Sequence, residues 1–242
     1  MALASAVGLL FAVHNNSPQC ASFPRLAAPK AIPGKVETAI RTYQNAYESR
    51  HLHQLQRFLG VRLGQNPNDQ QVISEILYDV KPDLIVETGT NSGGSAIWLV
   101  SLMSFINPSC KVITADPRTP DDWAAHWNAS GLRAAELPSA KPQWKRVEYY
   151  KGFSTDRAFI ERVALLSADA ERVLVLLDSD HSLGTVKAEL EALHRFVTPG
   201  SYIIVEDTYS TIKPGVAAKA FVASSATLVV STSCSRSTGV AT

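Results

Sequence analysis

A chain of 242 residues with 45% apolar side chains holds material for one packed core of about 200 residues plus an extension, rather than for two full domains. With 23 Lys and Arg against 22 Asp and Glu the net charge is +1, so no global field draws nucleic acid or an anionic membrane, and neither is expected as a partner. Cys20, Cys110 and Cys234 are spaced too widely for a disulfide framework or a metal knuckle, which suits a reduced, intracellular compartment.

The longest uncharged apolar run, Met1 to Val13, is too short to cross a bilayer, so no membrane span is expected. Residues 1–35 carry no acid and only Arg25, Lys30 and Lys35. That composition suits either a transit peptide or a poorly ordered extension ahead of a domain over residues 36–242. Val36–Leu59 reads as a covering helix ended by the Gly/Asn/Pro cluster from Gly60 to Asn68. Asp69 is placed to cap a second helix, Gln70–Val80, whose Val72, Ile73, Ile76, Leu77 and Val80 share one face, and Lys81-Pro82-Asp83 stops it.

From Leu84 onward strands and helices alternate. Strand Leu84–Glu87, helix Ser95–Phe105, strand Lys111–Ala115 and a polar insertion come first. Strand Val147–Tyr150, helix Asp156–Ser167, strand Val173–Leu177, helix Leu183–Phe196 and strand Tyr202–Val205 follow. The strands are short, unbroken apolar runs, as expected of a parallel sheet covered on both faces. The pattern predicts a doubly wound α/β domain with its ligand at the carboxyl ends of the strands. A last β-like run, Thr227–Thr232, sits in a Ser/Thr/Ala-rich tail.

Two clusters carry chemistry. The first, Glu87-Thr88-Gly89-Thr90-Asn91-Ser92-Gly93-Gly94-Ser95, lies between a strand and a helix, where glycines admit a ligand and a helix start offers free N–H groups. Asn91 replaces the middle glycine of a dinucleotide fingerprint, and no Gly-Lys-Ser/Thr follows for a phosphate loop. Glu87 before the turn and Asp116 after the next strand suit a ligand with a cationic amino-acid part and a ribose diol, as in S-adenosylmethionine. A strand-to-helix turn without a ligand would use the same glycines. The second cluster joins Asp178-Ser179-Asp180-His181-Ser182 to Glu206-Asp207-Thr208 on one rim of the sheet. So many carboxylates repel unless a cation sits among them, and oxygen donors without cysteine favour Mg²⁺. Asp180 or Ser182 also suits an N-cap for the helix that follows.

The motifs Phe58-Leu59-Gly60-Val61, Gln65-x-Pro67-x-Asp69, Glu87-Thr88-Gly89-Thr90-x-x-Gly93-Gly94-Ser95, Leu177-Asp178-Ser179-Asp180-His181-Ser182 and Val205-Glu206-Asp207-Thr208 together resemble the cephalosporin hydroxylase family. Despite its name, that family comprises S-adenosylmethionine-dependent O-methyltransferases, rhamnosyl O-methyltransferases among them. The similarity runs from Phe58 to Thr208 and implies a Rossmann-like methyltransferase fold. It implies that Glu87, Gly89, Asn91, Gly93 and Ser95 line the methionine end of the cofactor, that Asp116 accepts the ribose hydroxyls, and that Gly152-Phe153-Ser154 lies along the adenine. It implies Mg²⁺ held by Asp178, Glu206 and Asp207. His181 stands where the more distant catechol O-methyltransferases place a lysine, and is the expected base.

The chain departs from that pattern in three places. Phe153 replaces a serine of the usual Gly-Ser-Ser turn. The segment from Arg118 to Arg146 is long and carries Trp123, His126, Trp127 and Trp144, either as a surface excursion or as a substrate lid. Tyr209–Gly215 keeps only a trace of the usual loop, so the C-terminal end reads as degenerate. His51, His53 and His194 read as surface or satisfied core histidines, and Asn128-Ala129-Ser130 matters as a sequon only in a secreted protein.

The expected function is Mg²⁺-assisted methyl transfer from S-adenosylmethionine to a hydroxyl of a small molecule, a sugar or a diol. A cofactor-binding module without turnover and an NAD-dependent oxidoreductase are the alternatives, and Asn91 counts against the second. A homo-oligomer stays open.

Overall fold

The computed structural model describes residues 9–13, 34–131, 137–208, 217, 220–221 and 228–230. In chain order these form β1 (Leu9–Val13), α1 (Gly34–Ser49), a hairpin of β2 (Arg57–Phe58) and β3 (Val61–Arg62), α2 (Pro67–Val80), β4 (Leu84–Thr88), α3 (Gly94–Ile106) and β5 (Lys111–Asp116). Then come α4 (Pro120–Ala129), β6 (Val147–Lys151), α5 (Arg157–Ala168), β7 (Val173–Leu177), α6 (Leu183–Leu193), β8 (Tyr202–Val205) and β9 (Leu228–Val230).

The main sheet has seven strands in the order β6-β5-β4-β7-β8-β1-β9. The first five are parallel, which gives the doubly wound, Rossmann-like α/β class expected from the alternating pattern. The chain winds outward from β4 to β6, then crosses back to β7 on the other side of β4. That reversal makes the crevice beyond β4 and β7 the place where such sheets bind ligands. Alternate residues of each strand face opposite layers, as the two-residue period requires. Leu84, Val86, Val175 and Leu177 pack on one face with Phe159 and Val163 of α5 and Val186 and Leu190 of α6. Ile85, Leu174 and Leu176 pack on the other with Ile73 and Leu77 of α2 and Leu99 and Met103 of α3.

Three local differences from the sequence expectation have physical causes. The expected helix Val36–Leu59 ends at Ser49 because His51 takes a left-handed conformation, φ 52°. Leu59 and Gly60 both have positive φ, 50° and 86°, and so form a two-residue hairpin turn rather than a helix end. For α2 the cap is Asn66, whose side chain accepts from the Asn68 N–H at 3.0 Å, with Pro67 in the first helical turn, so Asp69 lies inside the helix. The polar insertion contains α4, started by a full capping box between Thr119 and Asp122.

Within residues 1–35, Leu9–Val13 form a strand of the main sheet. β1 pairs antiparallel with β8, Leu9 opposite Val205 and Ala12 opposite Tyr202, and with β9 on its other edge. Thr227–Thr232 contributes β9 over Leu228–Val230. Cys20, Cys234 and the stretch Tyr209–Gly215 lie outside the described residues, and the described Cys110 is a buried free thiol. Among the described residues no helix is long and apolar enough to cross a membrane.

Candidate active site

The loops after β4 and β7 meet directly. The Asp178 N–H donates to the Thr88 carbonyl at 3.1 Å, and the Gly89 N–H to the Ala115 carbonyl at 2.9 Å. Gly89 has φ 85°, and a Cβ there would overlap the Asp178 carbonyl. A Cβ on Gly94 would overlap the Arg62 carbonyl. These glycines thus let the chain's own backbones approach, which fixes the loops around the crevice. Gly93, φ 81°, lies against Pro138 and Trp144 from the insertion.

Glu87 points into this junction fully buried, and neither carboxylate oxygen has a hydrogen-bond partner. Burial pushes its pKa up to about 7, against the pull of the nearby Thr114 and Ser95 hydroxyls and with a further push from Asp116. An unpartnered buried carboxylate is costly and fits a site completed by a cation. Ser95, buried at the start of α3, stands beside it.

Asn91, at φ 47°, is the hub of the loop. Its Oδ1 accepts from its neighbour's Ser92 N–H at 2.8 Å, from Arg62 Nη1 at 3.1 Å and from the Trp127 indole N–H at 3.1 Å. Its own N–H donates to Asp116 Oδ2 at 2.9 Å. Arg62 is only 4% exposed and lies 3.7 Å over the Trp127 ring. Burial and the neighbouring Arg57 charge pull its pKa down to about 10, against the pull of Asp178. Asp116, also buried, accepts from the Arg118 N–H at 2.8 Å and from the Trp123 indole N–H at 3.0 Å to each oxygen.

On the neighbouring rim, Asp178, His181 and Asp207 bring one ligand atom each within 4.8 Å of one another. His181 Nε2 lies 3.0 Å from Asp207 Oδ2 and 3.8 Å from Asp178 Oδ1. Both His181 and Asp207 sit at positive φ, 57° and 54°, so the local backbone holds them facing each other. Burial alone would lower the His181 pKa, but the Asp207 hydrogen bond and charge, with Asp180 and Glu189, raise it above 6.5. Asp178 is raised well above the usual carboxylate range by burial and by the charges of Glu206, Asp207, Glu87 and Glu189. Glu206 is buried with Oε1 unpartnered, close enough to act on Asp178 but outside the three-residue cluster. Asp180 and Ser182 serve α6 as local caps, Ser182 Oγ accepting from the Thr185 N–H at 3.1 Å and Asp180 Oδ1 from the Ser182 N–H at 2.9 Å.

Ser154, expected along the adenine, donates instead to Glu189 Oε1 at 2.5 Å, while Ser179 donates to Oε2 at 3.0 Å. Phe153 is 63% exposed. Glu189 went unnoticed in the sequence, although an acid beside Val186, Leu190 and Leu193 on the buried face of α6 is a signal in itself. Arg62 gives no such signal, since only the hairpin brings it to Asn91. His53 lies near enough for the Asp207 charge to act on it, so it belongs to the surroundings of this rim.

A family model described as "Rhamnosyl O-methyltransferase/CmcI" matches residues 50–221. The Rhamnosyl O-methyltransferase of Mycobacterium tuberculosis (strain ATCC 25618 / H37Rv) is 31% identical over 152 residues, 62% of this chain and 56% of that protein. Its namesake from Mycobacterium leprae (strain TN) is 28% identical over 168 residues, 69% of this chain and 66% of that protein. The chain therefore spans between about half and two thirds of the curated relatives it matches. Among solved structures it is similar to "cmcI-D160 Mg-SAM" at a TM-score of 0.46 and 18% identity, covering 80% of this chain and 68% of that one. The apo structure of CalS11, a TDP-rhamnose 3'-O-methyltransferase, gives 0.45 and 17%, covering 80% and 87%. With the family model covering most of the sheet and both rims of the crevice, the chain belongs to the Rhamnosyl O-methyltransferase/CmcI family of S-adenosylmethionine-dependent methyltransferases.

Proposed function

We propose that this chain is an S-adenosylmethionine-dependent, Mg²⁺-assisted O-methyltransferase acting on a hydroxyl of a small sugar or diol-like acceptor. The observation that carries this reading is the pairing, on one crevice, of a buried, unpartnered Glu87 carboxylate with the Asp178, His181 and Asp207 cluster. The first asks for a cation such as the ammonium of a methionyl group. The second offers the carboxylate oxygens of Asp178 and Asp207 on an open rim, donors suited to a hard divalent ion, with the His181 imidazole beside them.

The residues present fit both groups. Glu87 faces the amino group, with Asn91 and Ser95 shaping the methionyl end. Asp116 is the acceptor for the ribose hydroxyls, while Ser154 supports that side of the site from below. Asp178 and Asp207 hold the ion, with Glu206 as a further carboxylate behind them. When bound, Mg²⁺ lowers the pKa of the acceptor hydroxyl. His181 Nε2 takes the hydroxyl proton, and Asp207, 3.0 Å away, stabilises the imidazolium that results. The fixed loops hold cofactor and acceptor sites at one junction, and positioning of that kind accelerates in-line transfer strongly.

Support from the relatives is of the same kind. The curated relatives that this chain matches are named Rhamnosyl O-methyltransferase, for methyl transfer to an oxygen of a sugar. Titration calorimetry with S-adenosylhomocysteine tests the cofactor reading. Binding to the parent protein that weakens in Glu87→Gln supports it, and tight NAD(H) binding with none for the thioether product rejects it.

A further inference from the structure

The ribose position just assigned is already taken. A carboxylate offers about four lone-pair positions. At Asp116 they are met by the Arg118 N–H, the Asn91 N–H and the Trp123 indole N–H, which lies 3.0 Å from both oxygens. A ribose diol needs two of those positions. The two backbone donors are fixed by the loop and by the end of β5, so the displaceable donor is Trp123.

The element that carries Trp123 is built to leave. Of the α4 residues only Pro120 is buried. The helix has its own capping box at Thr119 and Asp122, which satisfies N–H groups at its start without help from the rest of the domain. Its hold on the domain is a pair of indole latches. Trp123 bonds Asp116 and lies under the Arg118 guanidinium at 4.8 Å. Trp127 bonds Asn91 Oδ1 and lies under Arg62 at 3.7 Å. The two indoles stack on each other, centroids 5.9 Å apart and planes 16° from parallel, which couples the two latches. An exposed helix joined by a few polar contacts belongs to the low-stability end of local opening.

We infer that Trp123 is an internal competitor for the cofactor's ribose: α4 closes the crevice by placing its indole N–H where the ribose hydroxyls bind, and cofactor entry swings the helix out. This rests on the cofactor reading proposed above. Trp123 then sets cofactor affinity, because the open state must be populated before the diol can reach Asp116, and the apparent dissociation constant rises by the reciprocal of that population. α4 is thereby assigned to control of the cofactor rather than to the acceptor.

Trp123→Phe tests this, since it keeps an aromatic ring for Trp127 and Arg118 but removes the N–H. Titration calorimetry of S-adenosylhomocysteine should show binding tightened by about tenfold or more, the scale of one lost hydrogen bond to a charged group. Hydrogen exchange on the unmodified protein gives a second readout that needs no variant. Adding S-adenosylhomocysteine should speed exchange of the amides of residues 123–129 and slow that of Asn91 and Ser92. Weaker or unchanged binding in Trp123→Phe, with the α4 amides protected by ligand in the parent, overturns the competitor and makes Trp123 part of the bound site. Absence of binding in both the parent and Trp123→Phe overturns the cofactor reading itself, and the competitor with it.

Discussion

Glu189 of α6 accepts a hydrogen bond from Ser154 at 2.5 Å, and through it a helix on one face of the sheet holds the loop that follows β6. Its other oxygen takes the Ser179 hydroxyl at 3.0 Å, next to Asp178. One fully buried carboxylate thus ties the loop after β6 to the rim that carries Asp178. Glu189→Ala leaves two hydroxyls without their acceptor and opens a small cavity. It should cost about 1–3 kcal/mol, read by urea denaturation. Glu189→Gln keeps an acceptor for one serine and a donor for the other, and should recover most of that loss.

Glu87 predicts a pH dependence of opposite sign for folding and for binding. Its pKa rises from the ordinary 4.5 to about 7 in the fold, so the folded state favours the neutral acid. Stability should therefore fall by about 3 kcal/mol as pH rises from the unfolded pKa through the folded one. A cationic ligand favours the ionised form, so S-adenosylhomocysteine affinity should rise over the same interval. Glu87→Gln should flatten both profiles, which thermal melts and calorimetry at several pH values will read.

The central sheet was legible because its strands are unbroken apolar runs such as Val173–Leu177, which the alternating helices then ordered. Glu87, Asp116, Asp178 and Asp207 were legible because strand ends deliver acids to one rim. Asn91 and the glycines were legible as a loop, although Gly89 and Gly94 prove to serve contact between backbones. Arg62, Trp123 and Trp127 were hidden, because their roles arise from contacts between segments far apart in the chain. β1 was hidden for a similar reason: the pairing of Leu9–Val13 with Tyr202–Val205 joins segments far apart in the chain.

That strand makes its own prediction. Removing residues 1–13 strips β1 from between β8 and β9 and exposes the β8 edge. The truncated protein should melt several degrees lower, at about 2–4 °C for each kcal/mol lost in a domain of this size. It should also self-associate, because an unpaired edge is a template for pairing. Calorimetry and light scattering check both, and an unchanged melting temperature would assign β1 no share in stability.

His181 should separate from the other members of its cluster in kinetics. His181→Ala is expected to cut the rate by about 10²–10⁴-fold while cofactor binding persists. Because Asp207 raises the histidine's pKa, the parental rate should climb with pH through a value above 6.5, and that inflection should vanish in the variant. Asp178→Asn should instead lower Mg²⁺ affinity and turnover together.

The most direct measurement is transfer of a labelled methyl group from S-adenosylmethionine to rhamnosides and vicinal diols, followed by mass spectrometry with and without chelator. The proposed mechanism requires a product one methyl heavier on oxygen and one equivalent of S-adenosylhomocysteine, formed with added Mg²⁺ and abolished by chelation or by Asp178→Asn. Transfer that proceeds undiminished under full chelation and in Asp178→Asn would contradict it.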